Sequence, residues 1–374
     1  MHTSGPSPER EIARLAVATP RGDPAAVRAH LDALTKPPGS LGRLEELALQ
    51  VGMVLGDPPP PLHDAVVLVF AADHGVAVRG VSAYPAEVTA QMCANLSAGG
   101  AAINVLTRAC GARVRVVDVG VAADLGGLDG IEHRKVRAGT DDLAAGPAMT
   151  ASEVDEALAV GVEVAGGGGG PTGPAGHPDP WLVGVGEMGI GNTTAAAAVT
   201  ACLTGAAAGD VVGRGTGLDG DGLARKREVV ERAVARVTRS GDTRDDPLAV
   251  LREVGGLEIA AMAGAMIGAA ARGALVLVDG FISSAAALAA CRLCPGLPPY
   301  LVASHRSTEP GHAVVLEALG LVPLLDLEMR LGEGTGCALA IPIVRAAGAL
   351  LGEMATFESA GISGPSGDPS GAPP

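Results

Sequence analysis

Aromatic side chains are nearly missing from this chain: three Phe, two Tyr and one Trp make up 2% of its 374 residues. Proteins that bind single-stranded nucleic acid stack bases on such rings, so that mode of binding is excluded. Basic residues are also few, 27 Lys and Arg against 41 Asp and Glu, for a formal charge of -14. A field of that sign favours neither nucleic acid nor an anionic membrane surface, and the expected partners are small molecules or proteins. No uninterrupted apolar run long enough to span a bilayer is evident; Ala260 to Ala271 is built of small residues and interrupted by Gly264 and Gly268. The first residues, with Glu9, Arg10, Glu11 and Arg14, carry no apolar leader, so a cytoplasmic protein is expected.

Other patterns are missing too. The six cysteines are scattered among apolar or small neighbours, as in a reduced compartment. Cys291 and Cys294 have the spacing of a metal or redox half-site, but no second pair or His cluster accompanies them, so they read as core thiols at a helix end before Pro295. There is no Walker spacing, no dinucleotide fingerprint and no nucleophile triad, which disfavours a nicotinamide-dependent dehydrogenase. No metal and no cofactor are expected.

What is present is apolar material, 48% of residues, enough for a core that needs no staples. A helix from Asp23-Pro24 stops at Lys36-Pro37-Pro38-Gly39, and Ser40 is placed to cap a second helix, Leu41 to Leu55. Asp57-Pro58-Pro59-Pro60-Pro61 then marks a boundary. Beyond it, apolar runs of strand length at Ala65 to Phe70, Val114 to Val121, Trp181 to Val185 and Ala274 to Val278, with shorter ones at Tyr300 to Ala303 and Val322 to Leu325, alternate with helical stretches. Those stretches are Ala86 to Ala109, Ala151 to Val164, Thr193 to Leu203, Gly222 to Thr238, Gly256 to Ala271, Ser283 to Leu293 and Gly311 to Ala318. Strands separated by helices imply βαβ units in a doubly wound parallel sheet, whose ligands sit beyond the carboxyl ends of the strands. Gly166 to Gly170 reads as a surface loop without a chemical role, and residues 364–374 as a disordered tail.

Several strand ends finish in polar, glycine-bearing turns. Asp73 and His74 follow the first strand, either orienting a ligand or merely capping a turn. Gly184-Val185-Gly186-Glu187-Met188-Gly189-Ile190-Gly191-Asn192-Thr193-Thr194 leads into a helix and offers N–H groups and hydroxyls to an anion. Glu187 within it suits ribose hydroxyls better than phosphate, which would repel it. Val212 to Gly217 is a second glycine-rich turn, and Lys226 in the following helix supplies one cation unless it is simply solvated. Asp279 and the run Ser304-His305-Arg306-Ser307 close two further strands. Near the end stands Arg330-Leu331-Gly332-Glu333-Gly334-Thr335-Gly336, a lone carboxylate between glycines ahead of an apolar helix. Desolvated, Glu333 becomes a usable base; on a surface turn it is an ordinary solvated Glu.

Taken together these stretches resemble the nicotinate-nucleotide:dimethylbenzimidazole phosphoribosyltransferase family. The matching pieces run in order: KPPGSLGRLE from Lys36, ADHGV from Ala72, VGEMGIGNTTAAAA from Val185, VGRGTGL from Val212, GGLEIAAMAGAMIGAA from Gly255, LVDGFISSAAALAA from Leu277, SHRSTEPGH from Ser304 and RLGEGTGCALAIPIV from Arg330. The resemblance implies transfer of phosphoribose from nicotinate mononucleotide to 5,6-dimethylbenzimidazole, without a cofactor, by a cytoplasmic homodimer. It implies a Rossmann-like sheet over 63–337 beside a small helical domain built from 1–62 and 338–363. The family's general base falls on Glu333, and its nucleotide contacts on Glu187, Gly189, Gly215, Lys226, Asp279 and Ser307, with Leu331 added to the substrate contacts. Where the family's base-contacting Ser and Gln would align, this chain has Tyr84 and Met92, with Ser82 and Gln91 as near neighbours. Another azole or purine as acceptor, and a nucleotide-binding protein without turnover, therefore stay open as alternatives.

Overall fold

The computed structural model describes Val17, Pro20 and residues 22–166, 181–239 and 245–363. Six strands form one parallel sheet: β1 (Ala65–Ala72), β2 (Arg113–Gly120), β3 (Ile131–His133), β4 (Leu182–Met188), β5 (Leu275–Val278) and β6 (Leu301–Ala303), in the spatial order β3-β2-β1-β4-β5-β6. The order reverses between β1 and β4, which pair from Ala65 with Leu182 to Ala71 with Met188. A doubly wound sheet opens a crevice at this switch point, beyond the strand ends. Every residue of β1 is buried, as a strand covered on both faces must be.

The helix Leu257–Ala271 is buried from Leu257 to Ala270 and lies against the helix Ala151–Ala165. Small residues bring their backbones together: a Cβ on Gly161 would stand 2.7 Å from Ala265 N, and one on Gly264 2.8 Å from Leu158 C. The run of small residues in the sequence is thus a close helix contact. The close approach substitutes for the large side chains this chain lacks.

Some elements differ from the sequence reading. The helix expected over Ala86 to Ala109 is two helices, Val88–Ser97 and Ala102–Cys110, because Gly99 takes a φ of 75° between them. Val322 to Leu325 forms no strand; only Leu325 bridges, to His305. Ser40 is not the cap it was expected to be. The helix there is Arg43–Leu55, and Glu45 reaches back to the N–H groups of Gly39 and Leu41 while pairing with Lys36 at 2.9 Å. β3 and the helix Pro247–Val254, capped by Asp246 on Ala249 N, were not anticipated. The glycine run from Gly167 and the tail from Gly364 lie outside the described residues.

The chain divides into two compact units. Among the described residues, one runs from Asp64 to Ile341 and carries the sheet; the other joins Pro20–His63 to residues 342–363. Within the second unit, Leu34 bridges Thr356, and Arg345 donates to Leu62 O at 2.8 Å and His63 O at 2.7 Å. The helix Thr335–Glu353 crosses from the first unit into the second with Pro342 inside it. By length and composition it is apolar enough to cross a bilayer, contrary to the expectation that no such run exists, but more than half of it is buried inside the protein.

Candidate active site

A cavity of about 630 Å³ opens at the switch point within the first unit. Its walls come from the turns after β4, β5 and β6, from the helix Val88–Ser97, and from the loop before the helix Thr335–Glu353. Of the residues expected at a site, Tyr84, Met92, Glu187, Gly189, Gly215, Ser307, Leu331 and Glu333 line it. Lys226 and Asp279 are buried beside it, each bonded to a lining segment.

Glu333 sits on the most constrained backbone of the wall. Gly332, Glu333 and Gly334 have φ of 86°, 60° and 82° in succession, and for the glutamate such a left-handed conformation costs roughly 1–2 kcal/mol. Two devices hold it there. Asp279, following β5, accepts the Gly334 N–H at 3.0 Å and the Gly336 N–H at 2.7 Å, one on each carboxylate oxygen. From the other side, Gly186 in β4 leaves room for the loop: a Cβ there would stand 2.5 Å from Glu333 C and 2.6 Å from Gly334 Cα. Glu333 is 5% exposed, and its Oε2 has no hydrogen-bond partner among the described residues. Burial raises its pKa above the ordinary carboxylate value; the Ile103 N–H pulls the other way, and the Asp279 charge adds to the rise. The side chain is therefore desolvated and able to take a proton, which removes the reading of a solvated surface Glu.

The other carboxylates reinforce this field. Glu187 lies at the end of β4 and accepts a hydrogen bond from the Asn192 amide. Burial, helped by the charges of Glu258, Asp279 and Glu333 and opposed by Asn192, lifts its pKa well above the usual range. Asp279 is pushed up to about 7 by burial, against its backbone hydrogen bonds. Three carboxylates around one cavity favour a ligand with cationic character.

Another part of the wall carries donors. The Gly189 to Thr193 turn starts the helix Asn192–Thr204, with Gly191 at φ 100°. Lys226, on the helix Gly220–Arg239, donates from Nζ to Thr193 Oγ1 at 2.7 Å and to Gly213 O at 3.2 Å. Burial brings its pKa down to about 8, with the Glu309 charge acting in the other direction. The solvated Lys that sequence alone allowed is not what the fold builds. Ser307 N–H donates to His312 Nδ1 at 2.8 Å, so that ring nitrogen is unprotonated; burial and the His305 and Arg306 charges lower the His312 pKa to about 3.

Sequence reasoning left out two features. Glu309 lines the cavity and accepts the Gly215 N–H at 2.9 Å. His74, left open as a lone residue, is paired in the core with Glu258, Nε2 to Oε1 at 2.7 Å, both side chains fully buried. Burial lowers the His74 pKa, but the Glu258 carboxylate and the Asp73 charge outweigh it and the net shift is upward. Their partnership spans the chain from residue 74 to residue 258, beyond any spacing rule. Asp73 is a turn residue, accepting the Ala122 N–H at 2.8 Å.

The mouth carries the departures from the expected pattern. Tyr84 and Leu331 are 55% and 59% exposed, and Met92 lies on the same wall. Ser82 bonds to Thr216, a residue of the cavity wall, Oγ to Oγ1 at 3.0 Å. Among the described residues no group of His, Cys, Asp and Glu is arranged to hold a metal ion.

Residues 21–362 match a family profile described as phosphoribosyltransferase. A relative from Roseiflexus sp. (strain RS-1), named nicotinate-nucleotide--dimethylbenzimidazole phosphoribosyltransferase, is 51% identical over 343 residues, 91% of this chain and 94% of its own. A relative of the same name from Halalkalibacterium halodurans is 50% identical over 90% of this chain and 91% of its own. The crystal structure of the phosphoribosyltransferase of that name from Thermus thermophilus superposes with a TM-score of 0.84 at 48% identity, covering 91% of this chain and 98% of that one.

Proposed function

The chain belongs to this phosphoribosyltransferase family, and from that premise we propose how its cavity carries the reaction. The protein transfers the phosphoribosyl group of nicotinate mononucleotide to 5,6-dimethylbenzimidazole, giving α-ribazole 5′-phosphate and nicotinate, a step of cobalamin nucleotide-loop assembly. One benzimidazole nitrogen attacks the anomeric carbon from the face opposite nicotinate, and the bond to the pyridinium nitrogen breaks with its electron pair staying on nicotinate. The leaving group departs neutral at that nitrogen and needs no proton. The acceptor, by contrast, gains positive charge, and the proton on its second nitrogen passes to Glu333.

The observation that carries this reading is Glu333 itself, a buried carboxylate with an unpartnered oxygen, held at positive φ on the cavity wall. General-base assistance of this kind typically contributes about 10²–10⁴-fold, and fixing both substrates in one cavity adds to it through orientation. The field of Glu187, Asp279 and Glu333 favours the pyridinium and the positive charge that builds on the sugar during transfer. We assign Glu187, beside Asn192, to the ribose hydroxyls, and Gly189, Gly215, Ser307 and Lys226 to the phosphate. Asp279 acts through the loop it holds. Tyr84, Met92 and Leu331 face the acceptor. The exposed apolar side chains of Val322 and Leu327 support the homodimer that the family resemblance implies, which light scattering on the eluting protein tests.

The test of the reaction is product analysis by mass spectrometry with purified protein, nicotinate mononucleotide and a panel of benzimidazoles plus adenine. α-Ribazole phosphate should form with dimethylbenzimidazole and be lost in Glu333→Gln; turnover unchanged in that variant would remove Glu333 as the base.

A further inference from the structure

The donor end of the cavity contains a carboxylate for which the transfer chemistry has no use. Glu309 precedes the helix Pro310–Leu319, is 6% exposed, and lines the cavity. Its Oε1 accepts the Gly215 N–H at 2.9 Å, and its Oε2 has no hydrogen-bond partner among the described residues. The Oε2 side of the carboxyl lies against Gly213, where an added Cβ would stand 2.7 Å from Glu309 Cδ. The titratable and charged groups around it come from two other segments and from its own helix. Lys226 faces it from the helix Gly220–Arg239, Arg330 donates to Gly215 O at 2.9 Å from the loop before Glu333, and His312 on its own helix is held neutral by the Ser307 N–H and burial.

Gly215 N–H points at one acceptor, and that acceptor is an oxygen of an acidic side chain. An incoming phosphate oxygen finds the donor occupied and a like charge beside it. Resting on the assignment of Gly189, Gly215 and Lys226 to the nucleotide's phosphate, we propose that Glu309 is a specificity-determining residue: an internal anion that competes with the phosphate for the Gly215 N–H. The phosphate enters this end of the cavity only in exchange for the carboxylate. Affinity for the nucleotide is thereby held below what the donors alone would give, and a ligand without phosphate escapes the competition.

Glu309→Gln separates the two roles the side chain can have, since an amide oxygen still accepts the Gly215 N–H but the charge is gone. Binding of nicotinate mononucleotide and of nicotinate riboside, which lacks the phosphate, is measured by calorimetry for wild type and variant. The nucleotide should bind about tenfold tighter or more in the variant, as expected when a like charge is removed at short range, and the riboside should bind equally to both. Glu309→Asp, which withdraws the carboxylate from Gly215, should tighten nucleotide binding to a smaller extent and serves if the amide variant does not fold. Equal or weaker nucleotide binding by a folded variant would make Glu309 a brace and overturn the competition alone. Nucleotide and riboside binding alike in every protein would overturn the phosphate assignment together with the inference.

Discussion

Replacing Gly186 by Ala tests the placement of the base without touching it. The new Cβ would stand 2.5 Å from Glu333 C and 2.6 Å from Gly334 Cα, where ordinary contacts begin at 3.4 Å. Those atoms are backbone, so the loop must retreat by roughly 1 Å, and it is tied on its other side by the two N–H groups given to Asp279. Overpacking of this kind costs about 1–3 kcal/mol, part of which Ala regains over Gly in a strand. The melting temperature should fall by a few degrees and the protein should stay folded. Catalysis should suffer more, because a misplacement of about 1 Å costs on the order of 10²-fold in rate. Of the groups assigned to the phosphate, Gly215, Lys226 and Ser307 come from other segments and Gly189 alone follows this strand, so KM for the nucleotide should rise far less than kcat falls. Steady-state kinetics beside a thermal melt and a circular dichroism spectrum decide the matter. A folded Gly186→Ala protein with the wild-type kcat would refute the argument that this strand fixes the base.

Glu333→Gln should lower kcat by about 10²–10⁴-fold while leaving nucleotide binding by calorimetry intact. Because burial raises the Glu333 pKa, the acid limb of the kcat profile should lie above the usual glutamate range and disappear in that variant. The Lys226 ammonium is lost as pH rises through about 8, so KM for nicotinate mononucleotide should climb above that pH, and Lys226→Met should show a high KM with no such limb. Glu258→Gln leaves His74 with a weakened partner in the core and should destabilise by roughly 3–5 kcal/mol in a denaturant titration. The folded His74 pKa is raised, so the pair's contribution is full below the unfolded value of about 6.5 and lost as pH rises through the folded one. The gap in melting temperature between wild type and His74→Gln should therefore narrow on the alkaline side.

Much of this is legible in the order of residues alone. Continuous apolar runs of strand length such as Ala65 to Phe70, alternating with helical stretches, point to buried parallel strands, and the glycine-bearing strand ends collect where a doubly wound sheet puts its ligands. The failures have physical causes. β3 has three residues and borrows its order from β2, so local pattern is too short to announce it. Ser40 has the right chemistry for a cap, but Glu45 reaches the neighbouring N–H groups with a charge. Glu309 sits in a stretch whose serines and cations suggest phosphate, and a carboxylate among them counts against nothing in a one-dimensional reading. Only the fold shows it resting on Gly215. The His74 to Glu258 pair is invisible for the same reason, since neither residue has a neighbour in sequence that hints at the other.

The attachment of the Glu333 loop has a consequence for how this enzyme can change over generations. The Glu333 loop is located from β4 through Gly186 and from the end of β5 through Asp279, two frame members shared with the core of the sheet. Tyr84 and Leu331 stand more than half exposed at the mouth. On the proposed assignment, the carboxylate that takes the proton and the side chains that meet the acceptor sit on different segments and are separately adjustable. Drift at the mouth can trade one aromatic nitrogen base for another while the reacting carboxylate keeps its address, so a lineage carrying this scaffold can revise which lower ligand it builds without first surrendering the ability to build one.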